Sequence, residues 1–110
     1  MAATEDLDQV DQNDILLTEA VLGYDIRLQE SCVGAIEGKP GEINYLLVEP
    51  PWEGNGIARA ALNKFISLSR SYGASEVITS NVIHPAMKHI LETEGFEERS
   101  DDIGWVKEFR

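Results

Sequence analysis

Cysteine is nearly absent: Cys32 is the only one in 110 residues, so no disulfide can close within the chain. Packing alone must hold the fold, which suits a reducing compartment. Basic residues are scarce too. Nine Lys and Arg face twenty Asp and Glu, a formal net charge of −11. A surface of that sign repels phosphate backbones and anionic headgroups, so neither nucleic acid nor a membrane is an expected partner. No apolar run approaches the roughly 20 residues needed to cross a bilayer. The opening Met-Ala-Ala-Thr-Glu-Asp-Leu-Asp has no basic stretch leading into an apolar one, so no signal peptide is read and a cytoplasmic location is expected. The two histidines and Cys32 lack metal-ligand spacing, so no metal is expected. Neither internal repeats nor low-complexity tracts occur.

What is present is acid, unevenly placed. Residues 1–58 carry twelve carboxylates against Arg27 and Lys39, whereas residues 59–110 carry eight against seven bases. An acidic surface of this kind serves solubility as readily as it serves recognition of a cationic partner. One domain is the natural reading of 110 residues, with a core large enough to fold without staples.

Residues 1–12 are polar and acidic and read as a loose arm. Residues 11–22 fit a short helix, capped by Asp11 or Asn13 and stopped by Gly23, with a strand at 15–17 as the competing reading. Alternation in Tyr24-Asp-Ile-Arg-Leu-Gln predicts a half-buried strand. Ser31 to Glu37 follows after a break at Gln29–Glu30, which suggests a hairpin, and Gly38-Lys-Pro-Gly41 is a second turn. An apolar strand runs from Ile43 to Val48. Between Ile57 and Tyr72 apolar residues recur at 57, 61, 65, 68 and 72, predicting an amphipathic helix that Gly73 ends. Glu76 to Ser80 reads as a short strand. His84 can cap a second helix with Pro85 at its first position, closed by Gly95 with Phe96 folding back. Residues 97–99 and 104–109 read as a hairpin around Ser100-Asp-Asp. The order is β-β-β-α-β-α-β-β: an α/β (α+β) chain with a mixed sheet and helices on its faces.

The segment from Val48 through Glu-Pro-Pro-Trp-Glu-Gly-Asn-Gly-Ile-Ala-Arg to Ala60 joins a strand to a helix through a glycine-spaced loop. Glycines let successive N–H groups turn toward one point, and the first helical turn adds unpaired donors and partial positive charge. That is a compact anion site, fit for a phosphate-bearing ligand. The spacing Gly-x-Gly alone is equally an ordinary strand-to-helix connection.

The surrounding residues resemble the acetyl-CoA loop of the GCN5-related N-acetyltransferases, the GNAT superfamily. Its pattern is a strand ending in Val-x-Pro, then Arg/Gln-x-x-Gly-x-Gly/Ala, then a helix, and here Glu53, Gly56 and Ala58 hold the three motif positions. A second block, His84-Pro-Ala-Met-Lys-His-Ile-Leu-Glu-Thr-Glu-Gly-Phe96, is similar to the family's late helix ending in Gly-Phe. The resemblance covers roughly residues 24–110, with 1–23 as an acidic N-terminal arm. Complete members usually begin with a strand and two helices; 23 residues before Tyr24 are too few for all three, which makes this a short member.

The resemblance implies acetyl-CoA as co-substrate. Its pyrophosphate would be gripped by main-chain N–H groups across Glu53, Gly54, Asn55, Gly56, Ile57 and Ala58. Arg59 could offset the negative charge of Glu53, which stands where the family has Arg or Gln. A backbone N–H of Leu47 or Val48 would polarise the thioester carbonyl. The family's usual proton donor is a Tyr four residues before the Gly of Gly-Phe; here that residue is Leu91. Substitute candidates are Glu49, just past the strand end, and His84, at the second helix, with Tyr45 and Cys32 behind them. Each also has a structural reading: turn carboxylate, helix cap, packing residues. His89 reads as a surface residue, Trp52 and Trp105 as core or lid aromatics. Two functions are open. One is acetyl transfer to a primary amine, a small molecule or a protein lysine, by direct attack in a ternary complex. The other is a catalytically inactive GNAT-like interaction module, structural or of a virus or phage accessory type; an acidic decoy for a DNA-binding protein is more distant and needs its carboxylates aligned on one face. Family members often pair through edge strands, so a homodimer is expected.

Overall fold

The computed structural model describes residues 10–80, 82, 85–99 and 104–109. Seven strands form one sheet in the order β1-β2-β3-β4-β5-β7-β6. They are β1 (Ile15–Glu19), β2 (Gly23–Leu28), β3 (Ser31–Lys39), β4 (Glu42–Val48), β5 (Glu76–Thr79), β6 (Glu97–Glu98) and β7 (Trp105–Glu108). Helix α1 (Ile57–Ser71) joins β4 to β5, and helix α2 (Pro85–Thr93) joins β5 to β6. This is the mixed, mostly antiparallel architecture expected, with one more strand at the front.

That extra strand corrects the helical reading of residues 11–22. Asp11 does cap, but what it caps is a single 3₁₀ turn at Gln12–Asp14, closed by a reciprocal bond from the Asp11 amide to Asp14. Ile15 then enters β1, which pairs antiparallel with β2 from Ile15↔Leu28 to Glu19↔Tyr24. The residues Ile15, Leu17 and Glu19 share the face that meets α1, where Ile15 is buried. A free sheet edge on β2 offers a row of backbone bonds that an isolated short helix lacks, and pairing wins.

Both helices lie on one face. Tyr24 meets Phe65 edge-on at 6.0 Å between ring centroids. Ile26, Ile36, Ile43, Ile57, Leu62 and Phe65 fill the space between sheet and α1. Leu91 and Phe96 bring α2 into the same core. Phe96 folds back as expected, its amide donating to the Leu91 carbonyl at 2.9 Å. The hairpin turn expected at Ser100-Asp-Asp lies outside the described residues. Ser69, fully buried near the end of α1, accepts from the Gly41 amide at 2.9 Å and so ties that helix to the β3–β4 turn. Tyr72 caps α1 and Gly73 takes a φ of 90°, ending the helix where its glycine predicts.

Candidate functional site

β4 and β5 run parallel but pair only at Glu42↔Ile78 and Ile43↔Thr79. Beyond Ile43 the strands diverge, and a cleft of about 700 Å³ opens between them. Both strands, the loop and both helices wall it: Leu46 and Val48 of β4, Thr79 of β5, Trp52, Gly54 and Gly56 of the loop, Ile57 to Arg59 of α1, and Met87 and Ile90 of α2. A local register shift in the β3–β4 pairing between Glu37 and Gly38 precedes the divergence. Such shifts bend a strand and re-aim the residues beyond the bend.

The loop is shaped by three devices. Pro50 and Pro51 fix a 3₁₀ turn through Trp52, with the Glu53 amide donating to the Pro50 carbonyl at 3.2 Å. Asn55 braces the turn through Nδ2 to the Trp52 carbonyl at 3.3 Å, and its own carbonyl accepts from the Val10 amide. Gly54 and Gly56 adopt φ of 86° and 80°, the left-handed region that other residues enter at a cost. Gly56 is the N-cap of α1, and no side chain caps the helix there. The helical ladder starts with the Ala60 N–H donating to the Gly56 carbonyl at 3.0 Å. Among the described residues, the turn and loop bonds use none of the amides from Gly54 to Arg59. Gly54, Gly56, Ile57, Ala58 and Arg59 border one end of the cleft, with the partial positive charge of a 15-residue helix behind them. The Glu53 amide, expected among them, is instead satisfied within the turn.

The other end of the cleft is backbone as well. The Glu49 amide donates to the Val33 carbonyl at 2.8 Å, so it faces β3. Strand alternation then turns the amides of Val48 and Leu46 to the opposite edge, toward the gap. Of the pair Leu47 and Val48, Val48 is therefore the one whose N–H looks into the cleft.

Side chains meet the expectations unevenly. Arg59 does not offset Glu53: its guanidinium reaches across to α2, pairing with Glu94 and donating to Thr93 Oγ1 at 2.7 Å. A partner closer in space, on a part-buried helix end, wins over an exposed loop carboxylate. Glu49 is exposed at the strand end, where it precedes the 3₁₀ turn without a side-chain capping bond; it is not among the residues lining the cleft. His84 lies outside the described residues, as does its role as a helix cap. Tyr45 and Cys32, read as packing residues, are both exposed on the sheet face away from the helices. Tyr45 nonetheless lines the cleft, a signal the sequence carried only as its place on the strand. Leu91 is fully buried in the core. His89 is exposed, Trp105 is buried, and half-buried Trp52 walls the cleft without filling it. Among the described residues no group of His, Cys, Asp and Glu is placed to hold a metal. No described helix is long and apolar enough to cross a membrane. Tyr24 has its phenol pKa raised above the usual value, by burial first and then by Tyr72 and Glu19, but it sits in the core away from the cleft.

A family model described as acetyltransferase (GNAT) family matches residues 4–96 of the chain. No curated protein and no solved structure matches.

Proposed function

Because this chain belongs to the acetyltransferase (GNAT) family, we propose that it transfers an acetyl group from acetyl-CoA to a primary amine within a ternary complex. The observation that carries the reading is the set of uncommitted amides from Gly54 to Arg59 at the mouth of an open cleft. Their donors fit a diphosphate: they are backbone groups at a helix N-terminus, with glycine at the two positions of positive φ. When bound, the thioester supplies an acyl carbon on which the amine nitrogen forms a new C–N bond as the C–S bond breaks, the amine losing a proton and the sulfur gaining one.

The chain's own part is mainly positional. The loop amides would anchor the phosphates, and the Val48 N–H would donate to the carbonyl oxygen as negative charge builds there. Leu46, Ile57, Met87 and Ile90 give the cleft apolar walls between these two ends. Holding two reactants in line supplies a large share of the rate by itself. Acid–base help is sparse. The position where the resemblance implies a tyrosine is the buried Leu91, whereas Tyr45 is among the residues lining the cleft. We assign it the return of a proton to sulfur, with solvent taking the proton from the amine. Glu49, turned outward at the strand end, is left to act through water. The buried Leu91 is also what favours the second reading, an inactive module that keeps the scaffold and has lost the chemistry.

Calorimetric titration with acetyl-CoA and with coenzyme A separates them. A single site is expected for wild type. Ala58→Asp should weaken binding more than tenfold while leaving thermal stability intact or raised, because a carboxylate at the second helical position suits the helix dipole yet repels an anion. Absence of heat and of any thermal shift at millimolar acetyl-CoA would remove the transferase reading and leave the module.

A further inference from the structure

Among the described residues no element covers the sheet face opposite the helices across β1 to β4, and the composition of that face points to its partner. Register places four pairs outward on that face: Leu16↔Arg27, Thr18↔Asp25, Asp25↔Ala35 and Glu37↔Tyr45. Leu47, opposite Ala35, completes the set. Tyr45 and Leu47, two residues apart on β4, are 51% and 39% exposed and form a small apolar surface, while Leu16, 57% exposed, stands apart on β1. Tyr45 and Leu47 also line the cleft, so the gap between β4 and β5 communicates with this face as well as with the anion loop.

The charges on the face are not balanced. Asp25 and Glu37 are half-exposed, and neither forms an ion pair among the described residues. The cation of the patch, Arg27, donates instead to the Glu30 carbonyl at 3.1 Å. Glu37 stands directly across from Tyr45, and Asp25 is diagonal to it across β2 and β3. Two unpaired carboxylates therefore border the apolar approach to the gap.

We infer that the acceptor is a lysine within a basic segment of another protein, laid on this face. Its methylene stem packs on Tyr45 and Leu47 while the amine enters between β4 and β5 toward Val48. Asp25 and Glu37 hold flanking cations. A long apolar stem with a polar tip matches an apolar rim that leads to a polar slot. A free polyamine or small amine is a poorer fit, because small ligands bind in concave sites that enclose most of their surface, and Asp25 and Glu37 lie on an open sheet face outside the cleft. The inference rests on the acetyl-transfer reading and adds the acceptor class and its docking surface.

The test compares acetylation of four acceptors: a lysine peptide flanked by Arg, the same peptide flanked by Glu, a neutral lysine peptide, and spermidine. Peptide affinity is read in parallel by fluorescence anisotropy, which needs no turnover. The Arg-flanked peptide should be preferred over the Glu-flanked one and over spermidine by about tenfold or more in kcat/KM. The double variant Asp25→Asn/Glu37→Gln should raise its KM and Kd about three- to tenfold, as for two exposed charge pairs, with acetyl-CoA affinity unchanged. Spermidine equalling the basic peptide, or a double variant that binds the peptide as wild type does, overturns this inference alone. Failure of wild type to bind acetyl-CoA overturns the transfer reading and this inference with it.

Discussion

Glu53 is the residue at which this chain departs most from its family in a way that binding can measure. It is exposed at the lip of the cleft, and the nearest basic residue in sequence, Arg59, is engaged by Glu94. Nothing among the described residues neutralises it. An exposed carboxylate beside a bound anion costs roughly what an exposed pair of opposite sign would contribute, about 0.2–1 kcal/mol. Glu53→Gln should therefore tighten acetyl-CoA binding about two- to fivefold by calorimetry at low salt, with the gain shrinking as salt is added. An unchanged affinity would place Glu53 outside the reach of the phosphates. Leu91 is the second departure: the sequence shows a leucine where the resemblance implies a phenol, and it is buried in the core. The substitute proposed above, Tyr45, owes its place beside the cleft to strand pairing, which the sequence does not display.

The element that sets the site is β4, and its partner β3 controls it through Gly34. This glycine stands opposite Val48, and a Cβ there would lie 2.1 Å from the Leu47 carbonyl oxygen. That atom belongs to the backbone and cannot rotate away, so the strands would have to part at the residues that border the cleft. Gly34→Ala should lower stability by about 2–3 kcal/mol, at the upper end for overpacking, read by urea unfolding. It should also weaken acetyl-CoA binding, since Val48 would shift with β4. Helix α1 was legible throughout: the apolar spacing, the glycine before it and the glycine after it all coincide with its ends. β1 was not, because Ile15 to Glu19 fits two periodicities over so short a span, and only the available edge of β2 decides between them.

For the whole molecule, the net charge of −11 should act on the two proposed substrates with opposite sign. Between 10 and 150 mM salt the screening length falls from about 30 Å to about 8 Å. Acetyl-CoA, an anion, should bind about two- to threefold tighter as salt rises across that range, because the repulsion of the acidic half is screened before the short-range loop contacts are. A basic peptide acceptor should show a rising KM over the same range. Calorimetry and initial-rate kinetics in matched buffers check both slopes. Parallel slopes would mean that local groups, rather than the global field, dominate both sites.

What the chain determines by itself is local. Glycines at 54 and 56, prolines at 50 and 51, a period-3.6 apolar stripe and a second helix closing on Gly-Phe are short-range preferences, each satisfied within a few residues of its cause. From these come the anion loop, both helices and the strand–helix alternation. What only the tertiary structure decides is everything set by pairing at a distance. β7 inserts between β5 and β6. β4 and β5 part after two pairs. Arg59 turns to Glu94, and Asp25, Glu37 and Tyr45 come to share one open face. Such juxtapositions arise because a strand's partner, unlike a helix's, lies outside its own segment, so neither the cleft nor its approach exists until the sheet is assembled.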